Sequence, residues 1–251
     1  MRRTAVVVAL AALAAARPAA AEPAAAKLAP APVVGTGVIR GAVSFKGTAP
    51  ARLPVRRDSD PVCAATEQLA DDVVVTDGKL AGVVVRLANG SMGTWPAPTT
   101  PAVLSQTACA YRPRVLAVQA GQALAVDNGD PTYHNVRGVR GDATVFNVSQ
   151  PAGAPRILRT DVGAAGEVLH LRCDVHPWMA ADVVVHDHPF FAVTGEDGAF
   201  ELRGVPPGRY TLEAWHPVLG LKQQKVTVGT GKRGTVKAAF AFKAARAPAA
   251  R

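Results

Sequence analysis

The sequence predicts an all-β protein built as two sandwich-like modules. Short runs rich in Val, Thr and Gly recur along the chain, bounded by Gly, Pro and Asp-Gly pairs, as β-strands are. No amphipathic run of a dozen residues at helical period is found in the 251 residues. The 23 Gly and 20 Pro supply the turns that many short strands need. At this length there is room for one large domain or two modest ones.

The chain begins Met1-Arg2-Arg3, runs apolar from Ala5 to Ala16 and reaches Ala19-Ala20-Ala21 before Glu22. A basic start, a short apolar stretch and a small-residue site describe a secretory signal peptide over residues 1–21. The apolar run is short for a bilayer span, so cleavage is expected rather than retention as an anchor. No later segment approaches membrane length, and the expected location is the periplasm or the extracellular space. Residues 22–36 read as an Ala/Pro-rich linker, and residues 244–251 as a similar tail. Without Arg2, Arg3 and Arg17 the 28 basic residues become 25 against 19 acidic ones, and the net charge falls from +9 to +6. The remaining charge is spread out, with no Lys/Arg block of the kind that grips nucleic acid.

The first strand expected is Val38–Phe45, closed by Lys46-Gly47. Residues 48–71 read as a long loop with a short helical turn at Ala64–Leu69. Val73–Val75 and Val83–Leu87 are strands around Asp77-Gly78, and residues 88–102 are Gly/Pro/Thr-rich loop. Then come Val115–Val118, a turn at Ala120-Gly121-Gln122, Ala123–Asn128 and a turn at Gly129-Asp130-Pro131 that leads into His134-Asn135-Val136. Thr144–Val148 and Arg156–Leu158 are shorter candidates. Glu167–Arg172 alternates and ends at Cys173, and Ala181–His186 resumes after Met179. Phe191–Thr194, Ala199–Leu202 and Arg209–His216 follow, the first two flanking an Asp-Gly hairpin signal, then Lys225–Val228 and Thr235–Phe242.

Three cysteines in an exported chain leave one over. Cys63 and Cys109 lie in loop-like surroundings, whereas Cys173 has a His three residues on. The pairing expected is Cys63–Cys109 with Cys173 free; the alternative is that Cys173 pairs with one of the others. A free thiol outside the cytoplasm is prone to oxidation, so an unpaired Cys173 makes more sense with a metal on it.

The stretch Cys173-Asp174-Val175-His176-Pro177-Trp178-Met179 holds a thiol, an imidazole and a thioether, and His134 adds a second imidazole. A thiolate, two imidazoles and a weak axial Met form the donor set of a blue-copper site. Zinc also takes Cys and His ligands, but the Met favours copper. Taken singly, Met179 is an ordinary core residue and His134 an ordinary polar residue near a turn. Their order with Cys173 and His176 is what points to copper.

These residues resemble the cupredoxin family, amicyanin most closely, over roughly residues 103–187. Tyr111-x-Pro113-x-Val115, Gly121-Gln122 and Asn128-x-Asp130 leading to His134 match its approach to the first His ligand. The resemblance implies a Greek-key sandwich or barrel with one mononuclear type 1 copper. It implies His134, Cys173 and His176 as equatorial ligands, Met179 as the axial one, and Asn135 bonded across to the ligand loop. Pro177 would stiffen that loop, and Trp178 would shield the metal. A redox protein, a cytochrome or an oxidoreductase, would dock near an exposed edge of His176.

Val193-Thr194-x-x-Asp197-Gly198-x-Phe200-x-Leu202 and Val205-Pro206-Pro207-Gly208-x-Tyr210-x-Leu212 resemble the carboxypeptidase regulatory-like β-sandwich family, which implies an accessory module without catalytic residues. Ile39-x-Gly41-x-Val43 resembles that family's opening strand. The organisation expected is therefore an N-terminal β segment over 37–102, a cupredoxin over 103–188 and a β-sandwich over 189–243. Residues 37–47 would return to the C-terminal sandwich, leaving the cupredoxin inserted in it.

The function expected is periplasmic one-electron transfer, without enzyme activity. A copper carrier or sensor using the same ligands, and a non-redox interaction protein with a degenerate cupredoxin, are the alternatives. A copper oxidase or reductase would need more copper centres. His186-x-His188 and His216 are the remaining imidazoles that could build one, and alternating His at a strand edge are expected to be solvated. No Ser-His-Asp order, paired carboxylates in a cleft motif, phosphate loop or nucleotide fingerprint is present.

Overall fold

The computed structural model describes residues 35–88, 92 and 95–244, all within one compact unit. The signal-peptide reading, most of the linker and nearly all of the C-terminal tail fall outside these residues. The protein is all-β, with eighteen strands among the described residues. No helix among them is long and apolar enough to cross a membrane.

The strands form four sheets that enclose two cores. One sheet runs β10 (Ala143–Gln150), β9 (His134–Arg140), β12 (Val168–Arg172), β13 (Ala180–His186), β7 (Val115–Gln119). A second runs β11 (Ile157–Arg159), β8 (Leu124–Asn128), β5 (Ala102–Gln106), β6 (Tyr111–Arg112). Alternate residues of both turn into a shared core that includes Leu104, Leu124, Val126, Val136, Leu169, Leu171 and Val183. The closing pairs, β13 with β7 and β5 with β8, are parallel.

The other two sheets are assembled from both ends of the chain. β1 (Gly37–Lys46) lies between β15 (Ala199–Val205), antiparallel, and β18 (Thr235–Lys243), parallel. β3 (Lys79–Leu80) and β2 (Val75–Thr76) extend this sheet. Facing it, β4 (Val84–Leu87) sits between β14 (Phe191–Val193) and β16 (Gly208–His216), with β17 (Gly220–Val228) beyond. Val43 and Phe45 share this core with Leu212, Ala214, Phe240 and Phe242. The chain leaves this sandwich after β4, builds the other pair of sheets and returns at β14. Val84, Val115 and Val184, backed by Ala117, Val193 and Trp215, form a small cluster where the two modules meet.

Gly41 shows why β1 can be central. A Cβ there would lie 1.6 Å from the Ala238 carbonyl oxygen, so only glycine permits this close approach of β1 to β18.

Several local expectations need correction. Residues 75–87 belong to the same sandwich as residues 37–46, because β2, β3 and β4 pair into its sheets. The short helix in the long loop is α1 (Pro61–Ala64), not 64–69. Asp60 caps it by accepting from the Val62 and Cys63 amides, and Pro61 fills the first turn, where no donor is needed. Val73 and Val74 lie outside the two-residue β2. β5 begins at Ala102, the last residue of the expected loop, and adds a strand not expected from the sequence, and β17 starts at Gly220 rather than Lys225.

Candidate metal centre

The end of β12 and the start of β13 hold the two ends of the Cys173–Met179 loop. Within it, the Cys173 amide donates to the Met179 carbonyl (3.3 Å) and the Met179 amide to the His176 carbonyl (2.9 Å). This tight closure turns Cys173 and His176 to the same side. His134 opens β9, the strand next to β12, and the three donor atoms come within 4.8 Å of one another. All three side chains are buried, at 0% (His134), 3% (Cys173) and 1% (His176) exposed. Met179 is buried in the same core cluster as Cys173.

The imidazole orientations are the telling feature. His134 Nδ1 and His176 Nδ1 face each other at 2.9 Å, and Cys173 Sγ lies 3.8 Å from His176 Nδ1. Both far nitrogens meet carboxylates: His134 Nε2 is 2.9 Å from Asp130 Oδ2, and His176 Nε2 is 3.2 Å from Asp60 Oδ2. An ionised carboxylate only accepts, so each Nε2 carries the proton and each Nδ1 turns a lone pair inward. Two lone pairs converging at that distance repel unless a cation, a shared proton or a metal ion, lies between them. Metal–nitrogen bonds of about 2.0–2.1 Å and a metal–sulfur bond of about 2.3 Å would span these separations at angles of roughly 90° and 120°, which a four-coordinate ion accepts. The donor set therefore fits a soft or borderline metal ion. Burial lowers the His134 pKa, with Asp130 opposing it, so the ring is neutral and able to ligate.

Asn135 holds the loop. Its Oδ1 accepts from the Asp174 amide (2.8 Å) and from the Cys173 thiol (3.3 Å). Its Nδ2 donates to Asp174 Oδ2 (2.9 Å) and Asn147 Oδ1 (2.8 Å), and its carbonyl accepts from the Tyr111 hydroxyl (2.6 Å). Burial raises the Tyr111 pKa, so the hydroxyl stays a donor. Trp178 donates through Nε1 to the Cys109 carbonyl (3.0 Å) and lies against His176, ring centroids 5.0 Å apart.

The roles of Asp130 and Asp60 and the position of the disulfide were not read from the sequence, whereas the Cys63–Cys109 pairing was. Asp130 was placed only in a turn; it also accepts from the Cys109 amide at 2.9 Å, tying that turn to the disulfide. Asp60 comes from the 48–71 loop, which folds over the site; the Asp60-Pro61 cap was its one local signal. The disulfide joins Cys63 to Cys109 and leaves Cys173 free, and it lies beside the centre, with Cys63 Sγ 3.9 Å from His176 Nε2.

Two expectations are overturned. His176 has no exposed edge, because Asp60 and Cys63 cover its Nε2 side. His186, His188 and His216 are not solvated; they are at most 2% exposed, because they lie where β13 and β16 run into the contact between the modules. His188 bonds the Leu87 carbonyl and the Phe190 amide, and His216 Nδ1 accepts from the Val218 and Leu219 amides. His186 stacks on Phe191, and neither ring nitrogen has a hydrogen-bond partner among the described residues. None of the three joins a group of metal donors among the described residues.

No family model matches the sequence, and no curated protein matches it. Among solved structures, a Cu(I) amicyanin mutant is 23% identical, covering 34% of this chain and 82% of its own, with a TM-score of 0.30. A purple cupredoxin from Nitrosopumilus maritimus is 22% identical, covering 34% and 98%, at 0.29. A copper-containing nitrite reductase from Thermus scotoductus is 18% identical, covering 41% of this chain and 26% of its own, at 0.31.

Proposed function

We propose that the protein is a blue (type 1) copper protein that carries single electrons outside the cytoplasm. The observation that carries this reading is the pair of imidazole Nδ1 atoms facing each other at 2.9 Å beside the Cys173 thiol, each ring held from behind by a carboxylate. His134, Cys173 and His176 would hold the copper, with Met179 as the weak axial ligand. Bound there, copper supplies one-electron redox chemistry.

The remaining work falls to the chain. Asn135 fixes the loop through its bonds to the Asp174 amide and carboxylate, and its bond to Asn147 anchors it to β10. Asp130 sets the tautomer and orientation of His134. Burial of all three donors excludes water and fixes their positions, so the donor set changes little between two oxidation states. The signal-like start of the chain supports export to the periplasm. There a soluble redox protein, a cytochrome or an oxidoreductase, would be the partner, with the second sandwich as an accessory module.

The reading is tested by adding Cu(II) to purified protein. An intense thiolate-to-copper absorption band that is lost in Cys173→Ser supports it. A colourless protein that binds no copper overturns it.

A further inference from the structure

The loop over the centre is a built element rather than a loose excursion. Val55 donates to the Gln68 carbonyl and Ala70 to the Leu53 carbonyl, both at 2.8 Å, closing the segment into a narrow strap. Arg57, 4% exposed, pins it to the module below by donating to the Ala108 carbonyl (2.6 Å), and it bonds Gln68 and Thr66 within the strap. The Cys63–Cys109 disulfide is a second pin to the same turn. At the far end Asp71 pairs with Arg112 (2.5 Å) and Asp72 with Arg114 (3.4 Å). The strap delivers Asp60, whose Oδ2 accepts from Thr132 Oγ1 (2.7 Å) and meets His176 Nε2 (3.2 Å). The side of the His176 ring that points away from the other donors is therefore closed by a carboxylate and a disulfide sulfur.

The Trp178 ring offers another path. It touches His176 at a 40° tilt and is only partly buried. It lines a cleft of about 380 Å³ with Pro177, Arg172, Gln68 and Val55. Two rings pack on the buried His176 imidazole; His134 is itself fully buried, whereas this indole reaches solvent.

We propose that the strap re-routes electron exchange: Asp60 closes the edge of His176, and Trp178 is the group through which the centre meets its redox partner. This rests on the copper reading above. With copper bound, each exchange would pass one electron from Cu(I) to the oxidant and leave Cu(II), with no bond made or broken in the protein.

The test uses the full chain loaded with Cu(I) and two one-electron oxidants of opposite charge, hexacyanoferrate(III) and tris(phenanthroline)cobalt(III). Return of the absorption band follows the rate. Trp178→Leu is expected to slow both oxidants at least tenfold with the Cu(II) spectrum unchanged, and Trp178→Phe to recover most of that loss. Asp60→Ala is expected to speed both at least tenfold by uncovering the imidazole, whereas loss of charge alone would move the two oxidants in opposite directions. Asp60→Asn keeps the helix cap and guards against a folding defect. Without metal, diethyl pyrocarbonate should modify His176 at least tenfold faster in Asp60→Ala than in the wild type. Rates within twofold of wild type in Trp178→Leu, or equal His176 modification, overturn the re-routing and leave the copper reading standing. A wild type that binds no copper sinks both.

Discussion

Histidine does two different jobs in the two modules, and its hydrogen-bond partners tell them apart. Around the candidate metal centre, His134 and His176 give their Nε2 atoms to carboxylates and turn their Nδ1 atoms toward each other. In the sandwich and at its junction, His188 and His216 give ring nitrogens to the backbone instead. All four are equally buried. Burial therefore does not mark a ligand. What marks it is a ring braced by a charged acceptor on one side and left with an unshared lone pair on the other. A backbone-bonded ring is a structural plug, spent on satisfying amides that would otherwise be orphaned at the end of a strand.

The comparison predicts its largest effect in a pair of matched substitutions. His134→Gln removes an inward lone pair and should abolish the blue absorption, read by copper titration. His188→Gln should leave that absorption intact and cost about 1–3 kcal/mol of folding stability, read by denaturant unfolding, because the Leu87 carbonyl and Phe190 amide lose well-placed partners. Equal loss of copper in both variants would erase the distinction.

Acid should strike the plugs next. Burial lowers the His216 pKa from the usual histidine range to about 4, the nearby Arg114 adding to the shift and Asp182 and Asp72 opposing it. The folded state thus refuses a proton that the unfolded chain accepts below about pH 6.5. Its contribution is fully present above that pH and is lost as pH falls toward 4. Between pH 7 and pH 4.5 this amounts to roughly 2–3 kcal/mol. His216→Asn keeps an acceptor for the Val218 and Leu219 amides without a titratable ring. Its unfolding free energy should fall less over that interval by about the same amount; identical pH profiles would contradict the assignment.

The carboxylate braces come third. Asp130→Asn keeps the shape beside His134 but removes the anion that fixes the proton on Nε2. Loss of such a partner typically costs 10–100-fold in metal affinity. A competition titration against a chelator should show a drop of that order, with the fold retained. An unchanged affinity would mean that the ring is oriented by packing alone.

The sequence exposed the proposed ligands because they are local. Cys173, His176 and Met179 occupy one short loop between two strands, and His134 follows a turn with recognisable chemistry. Asn135 was legible from the same motif. Asp60 was not, because it meets His176 across 116 positions of chain. The loop residues around it, such as Pro54 and Asp58, say only that the segment is irregular, not where it lands. Likewise the buried state of His186, His188 and His216 depends on how the second module covers them, whereas their polarity alone suggested solvent. Residues 75–87 looked like part of an undivided N-terminal segment because strand pairing across the insertion leaves no local trace.

His186 stands apart from both classes of histidine. It is fully buried and stacked on Phe191, with ring centroids 4.4 Å apart, and neither nitrogen has a hydrogen-bond partner among the described residues. It is neither a braced ligand nor a backbone plug. Burial depresses its pKa to about 2, with Arg86 and His188 adding to the shift, so the ring is neutral and its polar atoms are desolvated without return. Replacing a buried, unpaired polar group by an apolar one of similar shape is close to neutral or stabilising. His186→Phe should therefore raise stability at pH 7 by about 1 kcal/mol, with an aromatic ring still available to stack on Phe191. It should leave copper binding untouched, since the residue joins no donor group among the described residues. A loss of stability would show that the imidazole nitrogens do meet a partner in solution, a buried water being the natural candidate, and would return His186 to the class of plugs.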